Sequence, residues 1–322
     1  MANLIYKQID EALRGARHIL LCTDVRIDGD TIGSTLGMMH VLRTMGKDVD
    51  VFSPEALAQS LEFVPGVSQI IRNPDLLKEE YDVICIFDCS NGEGVGRIPA
   101  HILPKARIIV FDHHSTNPNY GHINLVEVEA ASTGDVVYRF LKDQGYAITQ
   151  EAAQCLLTAI CTDTNAFYTS NTTRACIEAA HELMSYGAKI QSIILNTMKR
   201  HSPELLRLWG TALERLHTNR EHDILTTVIT MEDVRTHGVD DVQVSLLSEF
   251  IHALVANEDS VMVLRETPEG DVKGSLRSNG RDISLIAKQF GGGGHKMASG
   301  FKIEHAHLER QEDQWKVVPT AV

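Results

Sequence analysis

The sequence lacks any long apolar segment, because no run approaches the roughly 18–20 residues that a membrane-spanning helix needs. Its first eighteen residues are amphipathic and include acidic side chains, which argues against a signal peptide. No internal repeat is evident, and low-complexity sequence is confined to four consecutive glycines. These absences argue against an integral membrane protein and a secreted precursor.

Cysteine is sparse and does not have the spacing of a metal site. The six cysteines include no Cys-x-x-Cys pair. Several lie in apolar strand or helix segments, where a free thiol acts as a small hydrophobic group. We therefore expect structural, reduced cysteines in a cytoplasmic protein.

Basic residues are fewer than acidic residues. Lys and Arg number 30 against 43 Asp and Glu, so the formal net charge is −13. Long contacts with duplex nucleic acid neutralise many phosphates, and this composition argues against them. A short anionic substrate stays compatible with the composition, because a local metal ion or arginine can outweigh the global charge.

The sequence does contain apolar strands that alternate with helices. This alternation predicts an α/β fold with a doubly wound, mainly parallel sheet, whose strands are buried on both faces. Ligands of such sheets bind beyond the carboxyl ends of the strands. The predicted strands span residues 18–25, 48–54, 81–90 and 107–114, and the predicted helices span 31–45, 133–145, 149–164 and 173–187.

The length of 322 residues predicts two domains. After about residue 187 the pattern changes to long helices and then to strands separated by polar turns. We predict an N-terminal domain over 1–190, a helical linker over 191–214 and a smaller α+β domain over 215–322. The polar segment from residue 307 onward is predicted to fray.

Carboxylates stand where several predicted elements begin or end. Asp28 and Asp30 flank Gly29 on a turn, where glycine removes bulk that would block close approach. Asp88 ends a buried strand, and Asp163 lies late on an apolar helix. Each has a structural alternative: a solvated turn at a helix N-terminus, or a cap on the next turn. The structural alternatives would have to apply at every position at once, so a shared site is favoured.

Asp112, His113 and His114 end another buried strand. A lone histidine there is more often a core residue than a ligand. Two adjacent histidines weaken that interpretation, because neighbours on a strand point to opposite faces. Carboxylates with one or two imidazoles suit Mn²⁺ or Mg²⁺. Two such ions bridged by a carboxylate, for which we favour Asp88, would polarise a phosphoryl group and supply a hydroxide nucleophile.

An ordered set of motifs resembles the DHH phosphoesterase superfamily, in particular its nano-RNase and phosphoadenosine-phosphate phosphatase branch. The resemblance covers nearly the whole chain and implies a DHH domain followed by a DHH-associated domain, with the site in the cleft between them. The motifs are Asp-Gly-Asp at 28–30, Phe-Asp at 87–88, Asp-His-His at 112–114, Thr-Asp-Thr at 162–164, GSLRS at 274–278 and GGGGHKMASG at 291–300.

The resemblance also implies a set of roles for particular residues. Two Mn²⁺ ions, with Mg²⁺ or Co²⁺ as other candidates, would be the cofactors. His114 would lie beside the scissile phosphate, and Asp112 would orient a neighbouring imidazole. Asp88 and His114 would thus be the catalytic residues. The implied metal ligands are Asp28, Asp30, Asp88, His113 and Asp163.

The C-terminal motifs match the substrate-binding positions of the family. Arg277 and Ser278 fall on one such position, and His295 falls on another. The Arg277 guanidinium offers a fork for a terminal phosphate. Backbone N–H groups of Gly292, Gly293 and Gly294 can come close to an anion, although a glycine run can also be a flexible linker. Family members are often homodimers, which no feature of this sequence decides.

One position departs from the family pattern. Where the family usually has His-x-x-Pro-Asp-Gly-Asp, this chain has Asp24 in place of the histidine and Ile27 in place of the proline. Asp24 could bind a metal through oxygen, or it could contact the metal ligands without touching the metal itself, and one metal would then be held weakly. As a ligand it would leave an excess of one negative charge over the two cations, which would disfavour an incoming phosphate.

The implied activity is metal-dependent exonucleolytic hydrolysis of short RNA or linear dinucleotides to 5′-mononucleotides. Phosphatase action on 3′,5′-bisphosphate nucleotides would accompany it. Two alternatives stay open: a cyclic-dinucleotide phosphodiesterase, and a nucleotide-binding sensor whose metal site is impaired by Asp24. The glycine-rich ending argues against an inorganic pyrophosphatase.

Overall fold

A computed structural model describes residues 2–25, 27–92, 95–169, 171–197, 202–239, 247–254, 260–312 and 314–320. The chain divides into two compact units, residues 1–200 and residues 201–322, which we call the N-terminal and C-terminal units. Two helices, Ile190–Thr197 and Pro203–Glu214, occupy most of the predicted linker. Residues 198–201 of that linker lie outside the described residues.

The N-terminal unit is built on six parallel strands in the order β3-β2-β1-β4-β5-β6. This confirms the predicted doubly wound α/β fold. The short strands β3 and β6 were not predicted. The elements are α1 (Ala2–Gly15), β1 (His18–Cys22), α2 (Gly29–Thr44), β2 (Asp48–Phe52), β3 (Ile70–Ile71), β4 (Val83–Phe87), β5 (Arg107–Asp112), β6 (Ile123–Val126), α3 (Thr133–Asp143), α4 (Gln150–Asp163), α5 (Arg174–Ser185) and α6 (Ile190–Thr197).

Strands β1 and β4 lie side by side, and the strand order continues from β1 toward one edge of the sheet and from β4 toward the other. The carboxyl ends of these two strands therefore border a crevice, the usual ligand position in such folds. Phe87 is the last residue of β4 and Phe111 is the last but one of β5, and their rings stack at a centroid distance of 5.1 Å. This apolar base anchors the polar residues that follow both strands.

Helix α2 packs against α4 along a row of glycines at positions 29, 33 and 37. A methyl group at Gly33 would lie 2.8 Å from the backbone nitrogen of Ala159. A methyl group at Gly29 would lie 2.7 Å from Cβ of Thr162. These positions therefore stay small so that the two helix backbones can approach. As a result, the N-terminus of α2 lies beside the C-terminus of α4.

The C-terminal unit contains a six-stranded mixed sheet in the order β11-β12-β10-β9-β8-β7, in which only β8 and β9 are paired in parallel among the described strands. This confirms the predicted smaller α+β fold. The elements are α7 (Pro203–Glu214), β7 (His217–Asn219), β8 (Ile224–Ile229), α8 (Met231–His237), α9 (Leu247–Leu254), β9 (Ser260–Glu266), β10 (Val272–Ser278), α10 (Ser284–Gln289), β11 (Gly293–Gly294), β12 (Ala298–Ile303), β13 (Ala306–Gln311) and β14 (Gln314–Pro319).

The prediction that the chain frays from residue 307 onward is wrong. Strands β13 and β14 form an antiparallel hairpin. Ala306 and Leu308 alternate toward the interior and pack with Val228 and Val272. The polar residues that suggested fraying alternate with these buried ones, which is the pattern of a strand with one solvated face.

All six cysteines are buried and none is in a disulfide. Burial raises the pKa values of the Cys22 and Cys85 thiols, which keeps them protonated. These thiols therefore contribute to packing.

Among the described helices, none is long and apolar enough to span a bilayer.

Candidate metal centre

Asp88 is held in an unusual conformation directly after β4. Its φ is 58°, in the left-handed region that L-residues seldom adopt. Two hydroxyl groups donate to its carboxylate: Thr31 Oγ1 at 2.7 Å and Thr133 Oγ1 at 3.1 Å. The side chain is only 7% exposed. Asp88 is thus positioned by groups from α2 and α3, and neither threonine was predicted from the sequence.

The two aspartates at the start of α2 play different structural parts. Asp28 is exposed and caps the helix by accepting from the Thr31 N–H at 2.9 Å. Asp30 is 1% exposed and accepts from the backbone N–H groups of Thr133 and Gly134 at 2.7 and 2.9 Å. The N-terminus of α3 therefore fixes Asp30 in the crevice.

His113 lies at the centre of three carboxylates from distant parts of the chain. Its Nε2 atom is 3.8 Å from Asp30 Oδ2, 3.9 Å from Asp88 Oδ1 and 3.8 Å from Asp163 Oδ2. Asp163 reaches this point because α4 packs closely on α2. Two overlapping sets of ligand atoms result: Asp30, His113 and Asp163, and Asp88, His113 and His114.

Their adjacency in sequence had suggested that the two histidines point to opposite faces, but they do not. Strand β5 ends at Asp112, so both histidines lie beyond the pleat. His114 Nδ1 is 3.6 Å from Asp88 Oδ1, and the two imidazole rings lie 4.6 Å apart, edge to face. Both imidazoles therefore face the same carboxylate cluster.

Asp112 organises the loop that carries the histidines. Its Oδ1 accepts from His114 Nδ1 at 2.8 Å and from the His113 N–H at 2.8 Å. Its Oδ2 accepts from Asn117 Nδ2 at 2.6 Å, and Asn117 Oδ1 accepts from the Asn119 N–H. Asn117 is a further positioning residue that the sequence argument missed. Its place five residues after Asp112, in a polar loop, gave no distinguishing signal.

Asp24 follows β1 in the same crevice and is 2% exposed. In the part of the chain that the structure describes, neither Asp24 nor Asp28 belongs to the two sets of clustered ligand atoms. The charge of Asp28 nevertheless acts on Asp30, Asp88 and Asp163. Their roles as metal ligands stay predictions.

The predicted substrate residues lie in the C-terminal unit. Arg277 is half-buried near the end of β10. Ser278 is buried, and its hydroxyl oxygen accepts from the N–H groups of Gly280 and Arg281 at 3.3 and 2.9 Å. Ser278 therefore stabilises a turn in this structure. His295 is exposed after the short strand β11.

Three of the four loop glycines are required by the fold. Gly291 has a φ of 74° and Gly294 a φ of 137°. A methyl group at Gly292 would lie 2.6 Å from Cα of Phe301. Gly293 differs, because its φ is not positive and a methyl group there would meet no atom within 4 Å. The fold leaves the absence of a side chain at Gly293 unexplained.

Comparisons with known proteins match both units. A model of the DHH family, N-terminal domain, matches residues 18–160, and a DHHA1 domain model matches residues 228–317. The bifunctional oligoribonuclease and PAP phosphatase NrnA of Thermus thermophilus is 30% identical over 91% of this chain and 86% of its own. The chain belongs to the DHH family.

Other relatives agree with this assignment. The NrnA protein of Bacillus subtilis is 25% identical over 88% of this chain and 89% of its own. The crystal structure of an exopolyphosphatase-related protein from Bacteroides fragilis has a TM-score of 0.82 and 27% identity, covering 97% of this chain and 93% of that one. Membership of the DHH family makes the chain a phosphoester hydrolase.

The electrostatics of the DHH domain fit divalent cations. Burial, with the nearby charge of Asp28, raises the pKa of Asp88 to about 7. Burial and neighbouring carboxylates also raise the pKa values of Asp30 and Asp163. Such a cluster is unfavourable while its charges are unbalanced. Oxygen ligands with one or two imidazoles suit hard to borderline divalent ions, so cations would relieve this repulsion.

Proposed function

We propose that the chain is a metal-dependent phosphodiesterase that hydrolyses short oligoribonucleotides or linear dinucleotides to 5′-mononucleotides. A 3′-phosphatase activity on 3′,5′-bisphosphate nucleotides accompanies it. The observation that carries the proposal is the convergence of Asp30, Asp88 and Asp163 within 4 Å of His113 Nε2. The names of the NrnA relatives support the choice of substrates.

We assign two Mn²⁺ ions to this centre, with ligands drawn from the residues already described. When bound, they would polarise the phosphoryl group and activate the attacking water. Asp30, Asp88, His113 and Asp163 supply the clustered donor atoms, and Asp24 and Asp28 are the further candidates. Thr31 and Thr133 hold the Asp88 carboxylate in place by hydrogen bonds.

His114 is assigned to the substrate. Its Nδ1 is engaged by Asp112, which fixes the plane of the imidazole ring and leaves Nε2 to contact the scissile phosphate. Arg277 is assigned to the terminal phosphate, to which a guanidinium can donate two parallel hydrogen bonds. The N–H groups of Gly292, Gly293 and Gly294, with His295, complete the assigned phosphate contacts.

Turnover of an RNA dinucleotide tests the proposal. The protein is stripped with a chelator, reloaded with Mn²⁺, and assayed beside an Asp88→Ala variant prepared in the same way. We expect Mn²⁺-dependent release of 5′-mononucleotides by the wild type and loss of at least about 10³-fold in the variant. Wild-type turnover no higher than that of the variant would contradict the proposal.

A substrate panel separates the related activities. Initial rates on a linear dinucleotide, a cyclic dinucleotide, pyrophosphate and a 3′,5′-bisphosphate nucleotide are compared at equal concentration. We expect the linear dinucleotide to be the best substrate and the bisphosphate to be cleaved measurably. A faster rate on the cyclic dinucleotide would favour the cyclic-dinucleotide phosphodiesterase instead.

Asp24 motivates the second candidate function, a nucleotide-binding sensor with an impaired metal site. The buried carboxylate stands where the family usually has a ligand histidine, so one metal would be bound less well. An Asp24→His variant that gains activity over an almost inactive wild type would support the sensor. Efficient turnover by the wild type would exclude it.

A further inference from the structure

Asp163 is the least enclosed of the three carboxylates that surround His113. Its side chain is 28% exposed, against 2% for Asp30 and 7% for Asp88. It is the last residue of α4, whereas Asp30 is held by the N-terminus of α3 and Asp88 by two threonine hydroxyls. The orientation of the Asp163 carboxylate therefore depends on the segment that follows α4.

The chain leaves α4 through a left-handed turn. Asn165, Ala166 and Phe167 have φ values of 45°, 54° and 69°, a conformation that costs L-residues roughly 1–2 kcal/mol each. The Ala166 N–H donates to Cys161 O at 2.7 Å, and the Phe167 N–H donates to Thr164 Oγ1 at 3.1 Å. Such a run persists only where the surrounding structure determines it. The turn brings the residues that follow it back to the C-terminus of α4.

Asn171 lies where the returning chain meets the end of α4. Its Nδ2 atom donates to Asp163 Oδ2 at 3.3 Å and to Ala131 O at 2.9 Å, and it lies 3.4 Å from Asp163 O. Its Oδ1 atom accepts from the Thr169 hydroxyl. A carboxylate and a carbonyl can only accept hydrogen bonds, so the amide nitrogen has to face them. The carboxamide is therefore fixed on both sides.

Ala131 belongs to the backbone beside His113. The preceding residue, Ala130, has its carbonyl oxygen 3.4 Å from His113 Nδ1. The other ring nitrogen, Nε2, lies 3.8 Å from Asp163 Oδ2. Ala131 is fully buried, so this backbone is part of the packed interior. Asn171 therefore joins the backbone on one side of the imidazole ring to the carboxylate on its other side.

A hydrogen bond from Asn171 leaves the Asp163 oxygen able to bind a cation. Each carboxylate oxygen has about two lone-pair sites, so Oδ2 can accept from the amide and still coordinate a metal ion. The amide carries no charge, so it orients the carboxylate without neutralising it. Removal of a group that orients a metal ligand in this way lowers metal affinity by about 10- to 100-fold.

We propose that Asn171 is a positioning residue of the metal centre. It holds the Asp163 carboxylate at a fixed distance from His113, so that both donor atoms are in place before a divalent cation binds. Thr169 supports this role by its hydrogen bond to Oδ1. The role rests on the proposed function and concerns one cation, the one shared by Asp30, His113 and Asp163, because the other set of ligand atoms does not include Asp163.

Titration of the chelator-stripped full chain with Mn²⁺ tests this role without any substrate. Free Mn²⁺ is followed by electron paramagnetic resonance for the wild type and for Asn171→Ala. We expect two bound ions in the wild type and, in the variant, a dissociation constant about 10- to 100-fold higher for one of them. The other should change by less than about threefold, because its ligands do not include Asp163. Since excess ligand fills a weakened site, saturating Mn²⁺ should restore kcat on an RNA dinucleotide to within about threefold of the wild type.

Asn124→Ala is the matched control. Asn124 is also a half-buried asparagine of the N-terminal unit, and its amide exchanges two hydrogen bonds of 2.9 Å with the backbone of Gly121. These bonds stay within residues 121–124, outside the clustered ligand atoms. We expect Asn124→Ala to lose stability by about the worth of one or two hydrogen bonds. Both Mn²⁺ dissociation constants should stay within about twofold of the wild type.

Thr169→Val tests the same role through the partner of Asn171. Valine keeps the shape of threonine but cannot donate to Asn171 Oδ1, so the affected dissociation constant should rise about threefold. The double variant Thr169→Val/Asn171→Ala should bind Mn²⁺ no more weakly than Asn171→Ala, because the hydroxyl acts only through the amide. This milder variant keeps the test decisive if Asn171→Ala folds poorly.

Two results would overturn the role of Asn171. One is Mn²⁺ binding by Asn171→Ala and Thr169→Val that matches the wild type, and the other is an equal loss of Mn²⁺ affinity in Asn171→Ala and Asn124→Ala. Failure of the proposed function gives a different result, since the wild type would then bind Mn²⁺ but cleave the dinucleotide no faster than Asp88→Ala. Because the titration contains no substrate, the two failures are separated.

Discussion

In the N-terminal unit the polar groups at the sheet edge are buried carboxylates, whereas in the C-terminal unit they are glycine backbone and half-exposed cations. Asp30 and Asp88 are almost inaccessible and repel each other, and burial raises the pKa values of both. Arg277 and Lys273 stay half-exposed on one face of β10. The first arrangement favours the binding of cations, and the second can meet an anion directly. Under the proposed function, the two units divide metal binding from substrate binding.

The largest expected effect separates function from stability in the carboxylate cluster. Asp88→Asn should lower turnover by about 10³-fold or more, because it removes the charge of a proposed metal ligand. It should also raise the melting temperature of the metal-free protein at pH 8. The raised pKa of about 7 means that the folded state disfavours the Asp88 carboxylate, so wild-type stability falls as the pH rises from the ordinary value of 3.8 to about 7 and is lowest above that range.

Thermal unfolding in a chelator at pH 4 and pH 8, together with turnover in Mn²⁺, measures both effects. At pH 4 the variant and the wild type should differ little, because Asp88 is then largely protonated in the folded state. Glu11→Gln, an exposed acid on α1, is the control and should change neither quantity. A lower melting temperature of Asp88→Asn at pH 8 would show that the cluster is not repulsive.

Two neighbouring glycines of the loop should respond in opposite ways. Gly292→Ala places a methyl group against the backbone of Phe301 and should cost about 3 kcal/mol of unfolding free energy. Gly293→Ala meets no atom within 4 Å and should change stability by less than about 0.5 kcal/mol. If substrate approaches this backbone, Gly293→Ala should raise KM about tenfold. Denaturant unfolding and steady-state kinetics of both variants decide between a ligand contact and a flexible linker.

Asn117 tests whether the histidine loop needs support from outside the metal centre. Asn117→Ala removes the hydrogen bond to Asp112 Oδ2 and should lower kcat about 10- to 100-fold, with KM nearly unchanged. Asn117→Asp retains one oxygen but loses the N–H donor, so it should not restore activity. Asn73→Ala, at an exposed cap, is the control. A change confined to KM would assign Asn117 to substrate binding instead.

The last expected effect concerns the stability of the C-terminal unit alone. Arg215 donates to both oxygens of Asp233, at 2.5 and 2.8 Å, and stacks over Trp315. Burial opposes ionisation of Asp233, but hydrogen bonds from Arg215 and Thr230 outweigh it and hold its pKa below the usual range. Arg215→Met should cost about 2 kcal/mol at pH 7.

That loss should depend on pH in a defined direction. A lowered carboxylate pKa stabilises the fold above the ordinary value near 4, and the contribution disappears as the pH falls through the folded-state pKa. The difference between wild type and Arg215→Met should therefore shrink below pH 4. Unfolding curves from pH 2 to 7 measure it, and a difference that does not vary with pH would assign the effect to packing on Trp315.

Several structural features could be predicted from the sequence, because they depend on local patterns. Apolar runs ending in Asp88 and Asp112 predicted buried strands with polar carboxyl ends, and the parallel sheet then brings such ends to one edge. The hairpin of β13 and β14 was missed because only Ala306 and Leu308 alternate among many polar residues. Strand β6 was missed because four residues are too few to show a period.

The sequence by itself determined the fold class, the two-part organisation and the residue types at the candidate centre, because periodicity and motif order are readable along the chain. Only the tertiary structure decided that Thr31, Thr133 and Asn117 position the centre and that both histidines face Asp88. These facts depend on contacts between residues distant in sequence, and such contacts leave no periodic trace along the chain.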